Sequence, residues 1–311
     1  MRVFRGYSQP VSEPSALAIG NFDGVHLGHA ALLRRVRQVA QAGGWAPSVL
    51  SFEPHPREFF SPDSAPARLS TLREKLGLLA AEGMAQTMIC PFTTKFAALS
   101  AEAFIDEVLV RALQVRHLVI GDDFRFGAGR RGDFSLLCQA GENHGFNVEA
   151  MGSVSVDGER VSSSGVRRAL TAGDLAHAGR LLARPYAIDG QVIRGRQLGR
   201  QLGFATANLR IKHNPLPLRG VFAVDVIGLD AQALPGVANL GLRPTLEGTR
   251  PLLEVHLFDF ARDIYGAHIS VRFLHKLRDE QRFSDLAALQ AQIAADAQAA
   301  RAFFAAASPH S

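Results

Sequence analysis

Leu17-Ala18-Ile19-Gly20-Asn21-Phe22-Asp23-Gly24-Val25-His26-Leu27-Gly28-His29 decides how the first half of this chain folds. A short apolar run ends at Gly20, and an irregular polar turn follows. Leu32, Leu33, Val36 and Val39 then recur at helical spacing. The stretch reads as strand, tight loop and helix, with His26 and His29 at the helix entrance. An i, i+3 pair in a first helical turn shares one face. The free backbone N–H groups of a helix start favour an anion, most often phosphate. Imidazoles beside such a site can donate to phosphoryl oxygens as charge builds in a transition state. Taken alone, the two histidines also suit a metal pair or a His-rich turn. The stretch has no G-x-x-x-x-G-K-[ST] sequence, so it is not a P-loop.

Working outward, the first half alternates strand and helix signals. Leu17–Gly20, Ser48–Phe52, Met88–Phe92, Leu118–Gly121 and Val148–Met151 are apolar strand candidates. Helical patterns lie between them, among them Thr71–Ala80, where Thr71 and Glu74 could form a capping box, and a run from Glu102 to Leu113. Short continuous apolar strands separated by helices predict a parallel, doubly wound α/β sheet. Its ligands sit beyond the carboxyl ends of the strands, where His26 and His29 fall. A helix is expected from Ser162-Ser163-Ser164 past Leu170 and Leu175 to Leu182, ended by Pro185. Beyond Tyr186 the texture turns to β: Ile188–Ile193, Val221–Ile227, Leu252–Phe258 and Ile269–Leu274, punctuated by Gly220 and Pro235-Gly236. That pattern fits an antiparallel barrel or sandwich. An alanine-rich helix from Ser284 to about Ala305, with Leu286, Leu289 and Ile293 at helical spacing, should cover it. The domain boundary is expected near residue 185, giving domains 1–184 and 185–311.

The bulk composition narrows the class. With 311 residues the chain is comfortable for two domains, and 47% hydrophobic with 20% charged residues is ordinary for a globular protein. A net charge of +5 suits anionic substrates but is too diffuse for a nucleic-acid binder. Cys90 and Cys138 form no metal or disulfide spacing and read as small buried residues of a reduced compartment. No signal peptide and no long apolar run is evident, so no membrane partner is expected and the cytoplasm is the expected location. Oligomeric state is not legible.

Several further clusters carry chemistry. Val161-Ser162-Ser163-Ser164-Gly165-Val166-Arg167 puts hydroxyls at a helix start and an arginine in its first turn. The serines could simply cap the helix. The same groups also suit a phosphate, with Arg167 as a fixed fork. Gly121-Asp122-Asp123-Phe124-Arg125-Phe126-Gly127 ends a strand in an aromatic loop. It is either a packed loop or a place where the Phe126 ring faces a planar ligand and Asp123 bonds its polar edge. Gly195 and the run Gly203-Phe204-Ala205-Thr206-Ala207-Asn208 combine close-approach glycines with two oxygen donors. In an extended segment Thr206 and Asn208 face the same way and could hold Mg²⁺ beside ATP. Glu254, His256 and Phe258 share a strand face. There Glu254 is either a solvent-facing side chain or a base for a substrate hydroxyl.

Together these motifs resemble the bacterial bifunctional riboflavin kinase/FMN adenylyltransferases, over essentially the whole chain. Gly20 to His29 is similar to the family's H-x-G-H nucleotidyltransferase motif, and Val161 to Arg167 to its I-S-S-T-x-I-R motif. Gly203 to Leu209 is similar to the kinase G-F-P-T-A-N motif. Gly236–Gly241 and Leu253–Phe260 also follow the kinase pattern. Ser164 stands where threonine is usual and Ala205 where proline is usual. The resemblance implies a Rossmann-like adenylyltransferase joined to a riboflavin kinase barrel, with riboflavin, FMN and ATP as substrates, Mg²⁺ as cofactor, and FMN and FAD as products. It implies His26, His29 and Glu254 as catalytic groups. Gly20, Asn21, Phe22, Asp23, Gly24, Gly28, Ser163, Ser164 and Arg167 would bind ATP for adenylylation. Gly195, Gly203, Thr206 and Asn208 would bind it for the kinase, with Thr206 and Asn208 at the metal and Asp123 and Phe126 at the flavin. Ala205, which lacks the fixed φ of proline, leaves open a barrel that binds flavin without phosphorylating it. The shared H-x-G-H motif leaves open a cytidylyl- or phosphopantetheine-type transferase, and the flavin features a non-catalytic sensor.

Overall fold

In the computed structural model, which describes residues 1–195, 204–213, 215–245 and 248–307, the contacts divide the chain into two units. The first holds Met1–Pro66 and Leu72–Ser162, the second Ala67–Thr71 and Ser163–Ser311.

The first unit is built on a parallel six-stranded sheet in the order β1-β4-β3-β2-β5-β6. Its strands are β1 (Arg2–Arg5), β2 (Ser15–Ile19), β3 (Ala46–Glu53), β4 (Gln86–Pro91), β5 (Val115–Gly121) and β6 (Asn147–Met151). Every residue of β2 is buried. Leu17 and Ile19 enter one core with Leu50, Met88 and Leu118, while Ala16 and Ala18 enter the opposite core with Leu32, Leu33 and Val36. Those last three belong to α1 (Leu27–Gly43), which is closed by Gly44 in the left-handed region. A bidentate ion pair from Arg35 of α1 to Glu149 of β6 holds this helix to the sheet, and His117 of β5 joins the same carboxylate. The Arg35 partnership holds the Glu149 carboxyl below its ordinary range.

The remaining helices are α2 (Pro56–Phe60), α3 (Leu72–Ala81), α4 (Thr94–Ala97), α5 (Ala101–Ala103) and α6 (Phe134–His144), and α5 continues as a π-helical stretch over Phe104–Ala112. A two-stranded ribbon, β7 (Ser155–Val156) and β8 (Glu159–Arg160), completes the unit. The edge strand β1 was not anticipated; its Arg-Val-Phe-Arg sequence is too polar to stand out. Cys90 is buried as expected, and burial pushes its thiol up to about 12, whereas Cys138 is only half-buried.

The second unit opens with two helices where one was expected. α7 (Ser163–Ala172) stops at Gly173, which has φ +77°, and α8 (Leu175–Leu182) restarts with Asp174 as its cap. Both go with the barrel by contact, so the division falls after Ser162, ahead of the change of texture near 185. The β segment is a barrel, not a sandwich. β9 (Tyr186–Ile193), β10 (Ala207–Arg210), β11 (Gly220–Ile227), β12 (Leu234–Thr245), β13 (Gly248–Leu257) and β14 (His268–Arg278) close in the order β10-β13-β12-β11-β14-β9. Phe222 and Phe273 are fully buried and meet edge to face at 5.2 Å. The alternate residues of β11, Val221 and Ala223, pack outward on α9 (Leu286–Ala307) through Ala297 and Ala300. Leu286 is 65% exposed, so the packed stripe of α9 lies further along than its leucine spacing suggested. His275 stacks on Phe303 of that helix at 5.2 Å, and Asp296 receives two bonds from Arg278 of β14.

Phe222→Ala should therefore destabilise the barrel by about 3–5 kcal/mol, the usual cost of emptying a buried aromatic site. A chemical denaturation series read by circular dichroism checks this; a loss below about 1 kcal/mol would mean that this core can collapse around the gap.

Candidate active sites

The strand-loop-helix stretch of the first unit makes a tightly constrained turn. Phe22 has φ +48° and Val25 φ +39°, both in the left-handed region that side chains avoid, and Gly24 has φ +79°. Phe22 is fully buried, and its ring lies 5.0 Å from that of His29. His26 caps α1: its Nδ1 accepts the His29 backbone N–H at 3.3 Å, which leaves the proton of the neutral ring on Nε2. The two imidazoles stack at 3.7 Å with 16° between their planes. Gly28 packs closely on this pair: a Cβ there would stand 3.2 Å from the His26 ring.

His29 is held well below the ordinary imidazole value of 6.5, first by burial, then by its neighbours His26 and Lys75. Lys75, on α3, is 2% exposed and donates to Ser51 Oγ, which in turn donates to the Asn21 carbonyl. Sequence reasoning passed over this lysine; its only signal was a charge on a helix face shared with buried Leu79. Asn21 Oδ1 and His29 Nδ1 are both buried without a hydrogen-bond partner among the described residues. Buried polar atoms of this kind take a partner from outside the protein, a water or a bound group.

Of these groups, His26, Gly28 and His29 open on a cavity of about 280 Å³ at the carboxyl edge of the sheet, lined also by Gly20 and by Asp123 and Phe124 beyond β5. Asp123 and Asp122 both pair with Arg160 of β8, which also faces the cavity. Phe126 does not: it is 6% exposed, packed between Phe104 and Phe124, and stacked on the latter at 5.7 Å. The ring beside the cavity is Phe124, because the Phe126–Gly132 bridge folds Phe126 back into the core. Asp23 is buried in the turn. Ser163, Ser164 and Arg167 lie in the first turns of α7, within the second unit, where Arg167 Nε donates to the Ala67 carbonyl at 2.6 Å.

The second cavity, about 440 Å³, lies against the outer wall of the barrel beneath α9, which contributes Leu289, Ile293 and Asp296. Register builds its floor. Asn208 of β10 pairs with Glu254 of β13, Glu254 pairs with Asn239 of β12, and Asn239 pairs with Val221 of β11. Directly paired side chains stand roughly 4.5–5.5 Å apart at Cβ. His256 follows two residues along β13 on the same face, and Thr206, just before β10, also lines the cavity.

Burial raises the Glu254 carboxyl above its ordinary value, and Arg243 opposes that in part. Glu280 also enters the cavity, lying over Gly241 where any Cβ would collide with its carboxylate. Gly195 similarly makes room for Asn208, since a Cβ there would fall 2.2 Å from the amide nitrogen. Gly203 lies outside the described residues. Asn239, Arg243, His256 and Glu280 were not singled out as site residues in the sequence. The alternation around Glu254 could have added His256, but Asn239 and Arg243 reach the cavity through the pairing of β12, and Glu280 from just beyond the end of β14.

The chain is closely similar to known proteins. Residues 8–165 match the family described as FAD synthetase, and residues 182–304 the family described as riboflavin kinase. The bifunctional riboflavin kinase/FMN adenylyltransferase of Escherichia coli strain K12 is 49% identical over 307 residues, covering 98% of each chain. Its counterpart in Pseudomonas fluorescens is 49% identical over 305 residues, covering 97% of each. A crystal structure named as a macrolide-efflux protein of Streptococcus pneumoniae aligns with a TM-score of 0.81 at 27% identity, covering 97% of this chain and 99% of that one. No helix among the described residues here is long and apolar enough to cross a membrane. Full-length relatives and two matched domains agree on one conclusion: the chain belongs to the bifunctional riboflavin kinase/FMN adenylyltransferase family, and it phosphorylates riboflavin to FMN and adenylylates FMN to FAD.

Proposed function

We propose that residues 1–184 carry FMN adenylylation and residues 185–311 riboflavin phosphorylation, as a cytoplasmic enzyme of small-molecule substrates. The observation that carries the kinase half is the register that sets Glu254 beside Asn208 under α9. The terminal hydroxyl oxygen of the ribityl chain attacks the γ-phosphorus of ATP, its proton passes to Glu254, and the bond to ADP breaks. Partial burial suits Glu254 to this task, because a base works best with its pKa drawn towards the working pH.

The Thr206 hydroxyl and the Asn208 amide oxygen fit a hard, oxygen-loving Mg²⁺, and Gly195 leaves room for the Asn208 amide. When bound, the ion supplies charge neutralisation on the phosphates. Gly195 lets the backbone approach the nucleotide, and Gly203 keeps the nucleotide-binding role that the resemblance implies.

In the other half, an FMN phosphate oxygen attacks the α-phosphorus of ATP and pyrophosphate departs. That nucleophile is already an anion, so the protein's work is positioning and charge stabilisation. The α1 amino terminus and the His26 Nε2–H donate to phosphoryl oxygens, with His29 beside them. Gly20, Asn21, Phe22, Asp23, Gly24 and Gly28 shape the turn that grips the nucleotide. Ser163, Ser164 and Arg167 keep the ATP-binding role that their motif implies. The flavin lies against Asp123, with Phe124 taking the part first given to Phe126.

Three outcomes are expected. His29→Ala should lower FAD formation by ~10²–10³-fold, the scale of one lost donor to developing charge. It should leave riboflavin phosphorylation intact, and equal loss of both activities would refute the division. Glu254→Gln should abolish FMN formation while supplied FMN is still converted to FAD, as chromatography of the products would show. Because the ionised carboxylate is the working form, wild-type phosphorylation should fall as pH drops through a pKa lying above the ordinary 4.5. A rate that stays flat down to that value would exclude Glu254 as the base.

A further inference from the structure

Ala205 leaves the segment before Thr206 without the fixed backbone angle that a proline would give, although Asn208 pairs with Glu254 across the strands and Thr206, just before β10, shares their cavity. A constraint on that segment comes from β13 itself. His256 Nδ1 lies 2.8 Å from the Ala205 carbonyl oxygen. A carbonyl only accepts, so the proton is on Nδ1 and the ring donates it. The ring is also held edge-on by two aromatics, Phe204 at 5.4 Å and 80° and Phe258 at 5.8 Å and 73°. Phe258 in turn lies under the Arg301 guanidinium of α9, 4.3 Å from its ring centre, and Arg301 is paired to Asp259. The imidazole is therefore fixed on both sides. Its anchor is the strand that bears Glu254, two residues away. A single side chain thus ties the loop that carries the oxygen donors to the backbone that carries the carboxylate.

We propose that His256 is a positioning residue for phosphoryl transfer, fastening Phe204-Ala205-Thr206 to β13 so that the Thr206 hydroxyl and Asn208 amide stay opposite the Glu254 carboxylate. The inference rests on the roles proposed above for Glu254, Thr206 and Asn208. It assigns His256 no contact with the reacting atoms.

The test uses the full-length protein and compares wild type with His256→Ala, His256→Gln, Ala205→Pro, the double variant His256→Ala/Ala205→Pro, and Glu254→Gln. Riboflavin phosphorylation gives kcat and KM for ATP, and quenching of riboflavin's own fluorescence gives its Kd. His256→Ala should lower kcat/KM for ATP about tenfold, the scale of one hydrogen bond with some loop order, while riboflavin Kd is unchanged. His256→Gln should recover part of the loss, because its amide N–H can reach the same carbonyl. Ala205→Pro should raise activity more in the His256→Ala background than in wild type, since proline restores by covalent means what the imidazole did by tethering. Wild-type kinetics in His256→Ala, parallel loss of riboflavin binding, or a double variant no better than His256→Ala would each overturn the proposal. Retained phosphorylation in Glu254→Gln would instead overturn the reading beneath it, whatever the His256 series gives.

Discussion

A strand without a polar face must be covered on both sides, and that demand organises the first unit. In β2 the large residues Leu17 and Ile19 point to one core and the small residues Ala16 and Ala18 to the core that receives α1. A slip of one residue would press leucine and isoleucine where only alanine fits, so register is fixed. Fixed register delivers Gly20 to the carboxyl edge of the sheet and leaves few residues in which to start a helix. The chain meets this with left-handed backbone at Phe22 and Val25, at about 1–3 kcal/mol each. Burying both side chains offsets it, at about 1.5–3 kcal/mol apiece. The stacked imidazoles stand where they do because that compromise holds.

The barrel solves a different problem. Its cavity residues come from strands far apart in sequence, and closure of the β10-β13-β12-β11 ladder is what brings them into one row. Outward faces of such a barrel would ordinarily meet solvent. Here α9 covers them with alanines in its middle turns and aromatics near its end, and stands off far enough around Leu289 and Ile293 to leave a cavity. The Arg278–Asp296 and Arg301–Asp259 pairs tie the helix to the strands at two heights. The terminal helix is thus a wall of the second cavity as well as a cover for apolar surface.

Much of this was legible because the signals were local. The first site is compressed into one stretch whose strand, turn and helix each announce themselves, and Thr206, Asn208 and Glu254 stand out through alternation. Phe124, not Phe126, lines the cavity, and composition does not tell the two aromatics apart; Phe126 bridges to Gly132 through its backbone and packs into the core. Lys75 escaped because a lysine on a short helix reads as solvated, and only the packing of α3 reveals it as buried. Asn239 enters its cavity through strand pairing and Glu280 from just beyond the end of β14, which no spacing rule encodes. The break at Gly173 was hidden by helix-forming residues on either side; a glycine in the left-handed region ends α7 all the same.

The neutral state of His29 carries a thermodynamic liability. In the unfolded chain this imidazole takes up a proton near pH 6.5, while burial, His26 and Lys75 deny it that proton in the native fold. Below that value the denatured ensemble binds more protons than the native one, so acidification through 6.5 towards the depressed native pKa withdraws stability from the first unit. An anion seated beside the stacked imidazoles would favour the charged ring and so oppose that loss. Occupancy by such an anion would then double as acid protection for the first unit.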